Sequence, residues 1–330
     1  MAYKEPNGLR KPMSDEAKAR IADAVRLAAA RKREEQGLPP LLQVGAHVPP
    51  PAFIEKPLEL VRMSGQHFSP DLFVPMKTGK PIDQVFTADG GVPKACNFML
   101  IGDPGVGKST VSLDIISDLA ANGYRVLFIC AEMTRIDLYG YVQRYPKFGE
   151  VDILFTGEYC ESNPKTVIES SLKPGYDIVL IDSFAEVQED IKEVLKTTTS
   201  ASEKWLIDLM ISHNLGGNDS KTHTTFIAIQ QVTKGGVFVG SNKLKHSFTG
   251  MLELKFEEAT QKTFMTFSKN RRGTVNRRMF YSLSATGDVE YDENRFSNDG
   301  DAREALKNEE MLIESEDGIF DKLFGLVKEL

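Results

Sequence analysis

Gly102, Asp103, Pro104, Gly105, Val106, Gly107, Lys108 and Ser109, followed by Thr110, have the spacing G-x-x-x-x-G-K-[ST]. Glycines so placed let the backbone curl until successive amides point inward, a geometry that cradles phosphate oxygens, and a helix starting at the end of the loop adds positive potential. In that setting Lys108 reaches the β- and γ-phosphates of a nucleoside triphosphate, and Ser109 offers its hydroxyl to Mg²⁺. A glycine-rich turn can match this spacing by chance. Here the apolar run ACNFMLI precedes it and the helix-forming run STVSLDIISDLAANG follows, which is the strand, loop and helix frame that phosphate cradling needs.

Two acids follow at the ends of apolar runs. YRVLFIC leads into Ala131-Glu132-Met133-Thr134, and YDIVLID ends in Asp182. Glu132 at a strand tip can polarise an attacking water, or it is a solvated acid at a helix start. Asp182 can orient the waters of a bound Mg²⁺, although strands also end in Asp for turn reasons. The order of these parts is informative: phosphate loop, Glu132, a further strand, then Asp182. Simple phosphate-transferring kinases and GTP switches are not expected to interpose an acid and additional strands there, whereas an ATP-hydrolysing motor core is.

The elements that must position these groups can be read from periodicity. From about residue 78 apolar runs alternate with helical patterns, the signature of a largely parallel sheet covered by helices. The spacing predicts strands near 95–101, 124–130, 151–155, 176–181 and 223–229, and helices near 107–122, 134–145, 164–171 and 203–214. Strands near 250–257, 262–268 and 278–284 leave no room for helices between them, so the sheet is expected to end in antiparallel hairpins. The fold class is therefore α/β, with a mostly parallel twisted sheet flanked by helices.

Residues 14–35 read as an Ala-rich basic helix, and Pro39, Pro40 and Pro49 to Pro51 break regular structure in a strap that runs to residue 77. The core is expected over 78–296. An acidic tail over 297–330 closes with IFDKLFGLVKEL, a short amphipathic helix pattern. Residues 1–36 carry nine positive and six negative side chains, whereas residues 288–330 carry five positive and fourteen negative, so the two ends have opposite charge.

The chain has 330 residues, 41% hydrophobic and 26% charged, which excludes collagen-like, wholly disordered and coiled-coil classes. Three widely spaced cysteines exclude a disulfide framework and a four-thiolate zinc site. No stretch approaches the length of a membrane span and the N-terminus lacks an apolar signal core, so no membrane partner and a cytoplasmic location are expected. A net charge of −7 argues against a uniformly basic nucleic-acid coat but leaves local basic loops open.

These residues resemble the RecA-like P-loop ATPase superfamily over roughly 78–296, most closely the RadA/Sms recombination ATPases and the DnaB-type replicative helicase cores. TGKPIDQVFTADGGVPKACNFMLIGDPGVGKST resembles the RadA opening, in which a Thr-Gly, an Asp and a Gly-Gly precede the phosphate loop. CAEMTRIDL resembles the DnaB-type strand end whose Glu activates water, which favours Glu132 as catalytic base. IQQVTKGG resembles both families and implies that Gln231 senses the γ-phosphate. Ser268-Lys-Asn-Arg-Arg-Gly273 is similar to the Lys-Asn-Arg-Phe-Gly signature of RadA, with Arg272 where that family has Phe. The resemblance implies that Lys269 and Arg271 enter the nucleotide site of a neighbouring subunit, and hence a homo-oligomer, either a hexameric ring or a helical filament. RadA's four-cysteine finger and the N-terminal helical domain of DnaB-type helicases are not expected, which leaves a stripped core of viral or mobile-element type, working in the host cytoplasm if phage-encoded.

In this superfamily the loop beyond the sensing strand touches single-stranded DNA. Here Lys234, Lys243, Lys245 and His246 can meet phosphates and Phe238 can stack on a base, although a glycine-rich surface loop with lysines has the same composition. The acidic tail can mimic nucleic acid, dock a protein partner, or simply be solvated. The expected function is Mg²⁺-dependent ATP hydrolysis on single-stranded or branched DNA in recombination, repair or replication, with helicase or translocase action as one form. A regulatory or assembly ATPase that binds proteins, and a nucleotide-binding structural subunit, are the alternatives.

Overall fold

A computed structural model of the chain describes residues 20, 24, 27, 28, 31, 32, 60–231, 242–257, 261–284 and 288–293. The chain divides into two units, Met1–Gln66 and His67–Leu330. In the first, residues 20, 24, 27, 28, 31 and 32 are helical and Met63–Gly65 forms one 3-10 turn. The acidic tail lies outside the described residues.

In the second unit, helix α1 (Asp83–Phe86) leads to strand β1 (Asn97–Gly102), helix α2 (Lys108–Ala121), β2 (Val126–Cys130), α3 (Arg135–Arg144) and β3 (Asp152–Phe155). Then come α4 (Pro164–Leu172), β4 (Ile178–Asp182), α5 (Phe184–Leu195), α6 (Thr199–Asn214), β5 (Thr225–Gln231) and α7 (Asn242–Ser247). Strands β6 (Gly250–Glu257), β7 (Lys262–Asn270), β8 (Met279–Leu283) and β9 (Val289–Asp292) close the order. The strands form one sheet in the order β3-β2-β4-β5-β1-β6-β7-β8-β9. β3 through β6 are parallel, β7 and β8 add as antiparallel hairpins, as the spacing predicts, and β9 extends them by one more antiparallel strand.

Strand β1 is buried throughout because both faces are covered, and its side chains alternate between two cores. Phe98 and Leu100 pack with α2 side chains such as Ile115 and Leu119 on one face, while Met99 and Ile101 pack with Val187, Ile191 and Met210 of α5 and α6 on the other. This two-layer cover holds the C-terminal tips of the parallel strands in a row, which is where loops can gather chemistry.

Four numbered elements, α1, α5, α7 and β9, go beyond the sequence expectation. Helix α5 forms because Ser183 caps it, accepting from Glu186 N at 3.3 Å, and because Phe184, Val187 and Ile191 fall on one buried face. That signal is local, but it is diluted by five acidic and basic residues on the outer face. Strand β9 is short and acidic, and it is specified by pairing with β8 rather than by its own pattern.

The Thr-Gly, Asp and Gly-Gly that precede the phosphate loop brace one another in the segment leading to β1. Asp83 Oδ1 accepts from Thr78 N at 3.0 Å and Thr78 Oγ1 at 2.8 Å, and its Oδ2 accepts from Gly79 N at 3.0 Å. Gly91 has φ +109°, and a Cβ there would come within 2.6 Å of Met76 O. No helix among the described residues is long and apolar enough to cross a membrane.

Candidate functional site

The loop between β1 and α2 turns through Gly105 (φ +86°) and Gly107 (φ +90°), conformations that side-chain-bearing residues rarely adopt. A Cβ at Gly107 would also meet Leu283 Cδ1 at 2.5 Å, so the loop is packed as well as bent. Tyr281 on β8 braces it from below, donating its hydroxyl to Val106 O at 2.6 Å. Lys108 Nζ folds across the loop to Gly102 O at 2.9 Å and Asp103 O at 3.0 Å. Burial pushes its pKa down, opposed by Asp182, Glu132 and Asp103. Its present partners are neutral carbonyls, so its charge remains available to an anion.

Parallel register brings the acids alongside. Cys130 pairs with Asp182 and Gly102 with Gln231, so the tips of β2, β4, β1 and β5 face one space. Ser109 Oγ donates to Asp182 Oδ2 at 2.6 Å. Asp182 is buried, and burial raises its carboxyl to about 6, with Glu132 adding to the rise and the Ser109 hydrogen bond and Lys108 opposing it. Gln231 Nε2 donates to Glu132 Oε1 at 3.0 Å across the exposed mouth of the site. These groups line a cleft of about 410 Å³ that reaches from Pro104 and Thr110 to Ile229.

The cleft suits a triphosphate with Mg²⁺. Ser109 and Asp182 present adjacent hard oxygens, the donor type Mg²⁺ prefers, and a cation there would offset the desolvation of Asp182. Among the described residues no group of three or more His, Cys, Asp or Glu gathers into a separate cage.

Tyr141 of α3, Ile229 of β5 and Leu283 of β8 also line the cleft. Nothing in local spacing marks them, because α3 and β8 reach the loop only through the sheet order. A separate cavity of about 260 Å³ beside Tyr159, Val187 and Val194 contains none of the phosphate-site residues.

The structure does not bring Lys269 and Arg271 to the phosphate loop of their own chain. Asn270 pairs with Gly250, which pairs with Phe98, whereas Gly102 pairs with Leu254. The two cations therefore stand at the opposite end of the strands, about 13 Å away for four residues of extended chain. Lys245 and His246 lie on α7, the first half-exposed and the second exposed. Lys234, Phe238 and the side chain of Lys243 lie outside the described residues.

No protein-family model matches the chain. The chain is similar to the DNA repair protein RadA of Campylobacter jejuni, 26% identical over 198 residues that make up 60% of this chain and 42% of that protein. RadA of Chlamydia muridarum is 29% identical over 198 residues, covering 60% of this chain and 41% of its own length. RadA of Streptococcus pyogenes is 30% identical over 207 residues, 61% of this chain and 42% of its own. The match thus spans about two-fifths of the length of these curated relatives. Among solved structures, a KaiC-like protein from the hyperthermophilic archaeon Pyrococcus horikoshii OT3 superposes with a TM-score of 0.50 at 18% identity, covering 67% of this chain and 99% of its own. The fold is the RecA-like α/β fold, and the resemblance to RecA-like ATPases stands on both sequence and architecture.

Proposed function

We propose that this protein is a Mg²⁺-dependent RecA-like ATPase that acts on single-stranded or branched DNA in repair or recombination, with each active site completed by a neighbouring subunit in a ring or filament. The observation that carries the reading is the convergence of Lys108, the Ser109–Asp182 pair and the Glu132–Gln231 pair on one cleft at the strand tips. The similarity to RadA proteins named for DNA repair supports the setting.

In this reading the loop amides and Lys108 bind the triphosphate, and Lys108 exchanges its two carbonyl partners for phosphate oxygens. Ser109 and Asp182 would hold Mg²⁺, which when bound would neutralise phosphate charge. Glu132 accepts a proton from the attacking water, and Gln231, hydrogen-bonded to Glu132, reports whether the γ-phosphate is present. The cationic turn that carries Lys269 and Arg271, remote from its own loop, serves another subunit's site. DNA is contacted by the segment beyond Gln231, including Lys245 and His246, and ATP turnover takes place in the cytoplasm.

Glu132→Gln should leave ATP binding intact and lower turnover about 100-fold, the usual cost of losing a general base. Unchanged turnover would remove Glu132 from the mechanism. Mixing Lys108→Ala with Arg271→Ala chains should restore hydrolysis at mixed interfaces, and no recovery at any ratio would overturn the shared site. DNA binding that weakens steeply with salt, together with DNA-stimulated hydrolysis, is expected. Hydrolysis indifferent to DNA would instead favour the protein-binding alternative.

A further inference from the structure

The turn after β7 reads Ser268-Lys-Asn-Arg-Arg-Gly273, and Lys269, Asn270 and Gly273 have tasks within their own chain. Lys269 Nζ donates to the carbonyl oxygens of Lys245 at 2.6 Å, Phe248 at 2.7 Å and His246 at 3.3 Å. An ammonium has three N–H donors, so this one is saturated. Its acceptors lie at and just past the C-terminal end of α7, where carbonyls lack intrahelical donors and the helix dipole favours a cation. Burial, and then the Arg271 charge, push the Lys269 pKa down, whereas hydrogen bonds to three carbonyl oxygens favour its charged form.

Asn270 and Gly273 have equally local tasks. Asn270 Nδ2 donates to Phe86 O at 2.9 Å while its Oδ1 accepts from Arg272 N at 2.9 Å. A Cβ at Gly273 would collide with the same Phe86 carbonyl. Arg271 differs: it is exposed, and among the described residues its guanidinium donates only to His246 O, at 2.9 Å. A guanidinium carries five N–H groups in a planar fork, so the described residues use only a small part of its bonding capacity.

We infer that Lys269 is a positioning residue that clamps the C-terminal end of α7, and that Arg271 alone is the cation that leaves its own chain to act on a neighbour's triphosphate. The inference rests on the reading of a site shared between subunits and divides the labour within it. α7 is held on its other side by buried Leu244 and by Phe248, whose ring meets Phe184 edge-on at 6.1 Å. With Lys269 in place the helix is fixed from both sides, and Arg271, bonded to the same helix end, starts from a defined position.

The test uses the full chain with Lys269→Met, Lys269→Arg and Arg271→Ala. Hydrogen exchange of residues 243–250 without nucleotide should quicken about tenfold or more in Lys269→Met, stay near wild type in Lys269→Arg, and change less than about threefold in Arg271→Ala. Turnover of the assembled protein should fall about 10³-fold in Arg271→Ala, the scale of a lost arginine finger. It should fall only about tenfold in Lys269→Met, with KM for ATP unchanged because the phosphate loop lies at the other strand end, and Lys269→Arg should recover it. Unaltered exchange in Lys269→Met would overturn the inference. So would a turnover loss in Lys269→Met equal to that of Arg271→Ala with no recovery in Lys269→Arg. Full turnover in both Lys269→Met and Arg271→Ala, with quickened exchange in the former, would support the clamp and overturn the shared site instead.

Discussion

Helix α2 carries two charged clusters that differ in how fully they are satisfied. At its N-terminal end Lys108 is bonded to neutral carbonyls, Asp182 has a single hydroxyl donor, and Glu132 adds a like charge nearby. Two turns along, Asp114 is completely buried yet surrounded by donors. Lys147 Nζ lies 2.5 Å and Lys80 Nζ 3.1 Å from its Oδ1, Tyr291 donates to its Oδ2 at 3.1 Å, and Val289 N donates to its Oδ1 at 3.3 Å. The same two lysines also reach Asp118 and Asp288, Lys147 at 2.7 and 2.8 Å. Lys80 lies 2.9 Å from Asp118 Oδ2, as an ion pair without hydrogen-bond geometry.

The titration shifts have opposite consequences. Asp182 is raised to about 6 by burial, so its charged form is disfavoured in the native state. For Lys147, burial alone would push the pKa down, but hydrogen bonds to Asp114, Asp118 and Asp288 outweigh it and hold the ammonium well above its ordinary value of 10.5. The Lys147 hydrogen bond, with Lys80 assisting, holds Asp288 below the usual carboxylate range. One cluster pins α2 to β9 and to the segment carrying Lys147. The other is left short of partners, which is what a site awaiting a polyanion and a cation requires.

That contrast can be broken most directly at Lys147. Lys147→Met leaves buried Asp114 with a single ammonium and should cost about 3–5 kcal/mol of unfolding free energy, read by denaturant titration. Nucleotide affinity of the folded fraction should be unchanged. A loss below about 1 kcal/mol would mean that the cluster is no pin.

Asp182→Asn should act in the opposite direction. A carboxyl whose native pKa lies above its unfolded value makes the protein less stable as pH rises through the window from 3.8 to about 6. Removing it should therefore stabilise the fold by about 2–3 kcal/mol at about pH 7.5, while divalent-dependent turnover is lost. The two chains should converge below about pH 4, and equal stability at all pH would refute the idea that this site is held at a cost.

The smallest effect is expected at alkaline pH. Lys147 has a raised native pKa, so its contribution is complete below the unfolded value of 10.5 and declines as pH climbs through the native one. The stability gap between wild type and Lys147→Met should narrow by about 1 kcal/mol per pH unit above the unfolded value of 10.5, until the native value is passed. A constant gap would show that packing of the Lys147 stem, not its charge, carries the effect.

Much of the site was legible because its parts are local. The glycine spacing, the run of β1 and the helix start at Lys108 need only a few consecutive residues to declare a phosphate cradle. Glu132 and Asp182 stand at the ends of apolar runs whose periodicity marks them as strands. The signature around Lys269 was legible as a cationic turn, but the partner of Lys269 was not. Its acceptors are backbone carbonyls of α7, and carbonyls leave no trace in residue types.

By itself, then, the amino-acid order determined the parallel α/β frame, the phosphate loop and the two strand-end acids, because each depends on short-range pattern and burial period. Only the tertiary structure decided that Tyr281 braces the loop, that Asp114 is saturated by Lys80, Lys147 and Tyr291, and that Lys269 and Arg271 stand at the strand end remote from their own loop. These are consequences of strand register and sheet order, which join residues up to 177 positions apart and are set by how whole faces pack rather than by any one segment's propensity.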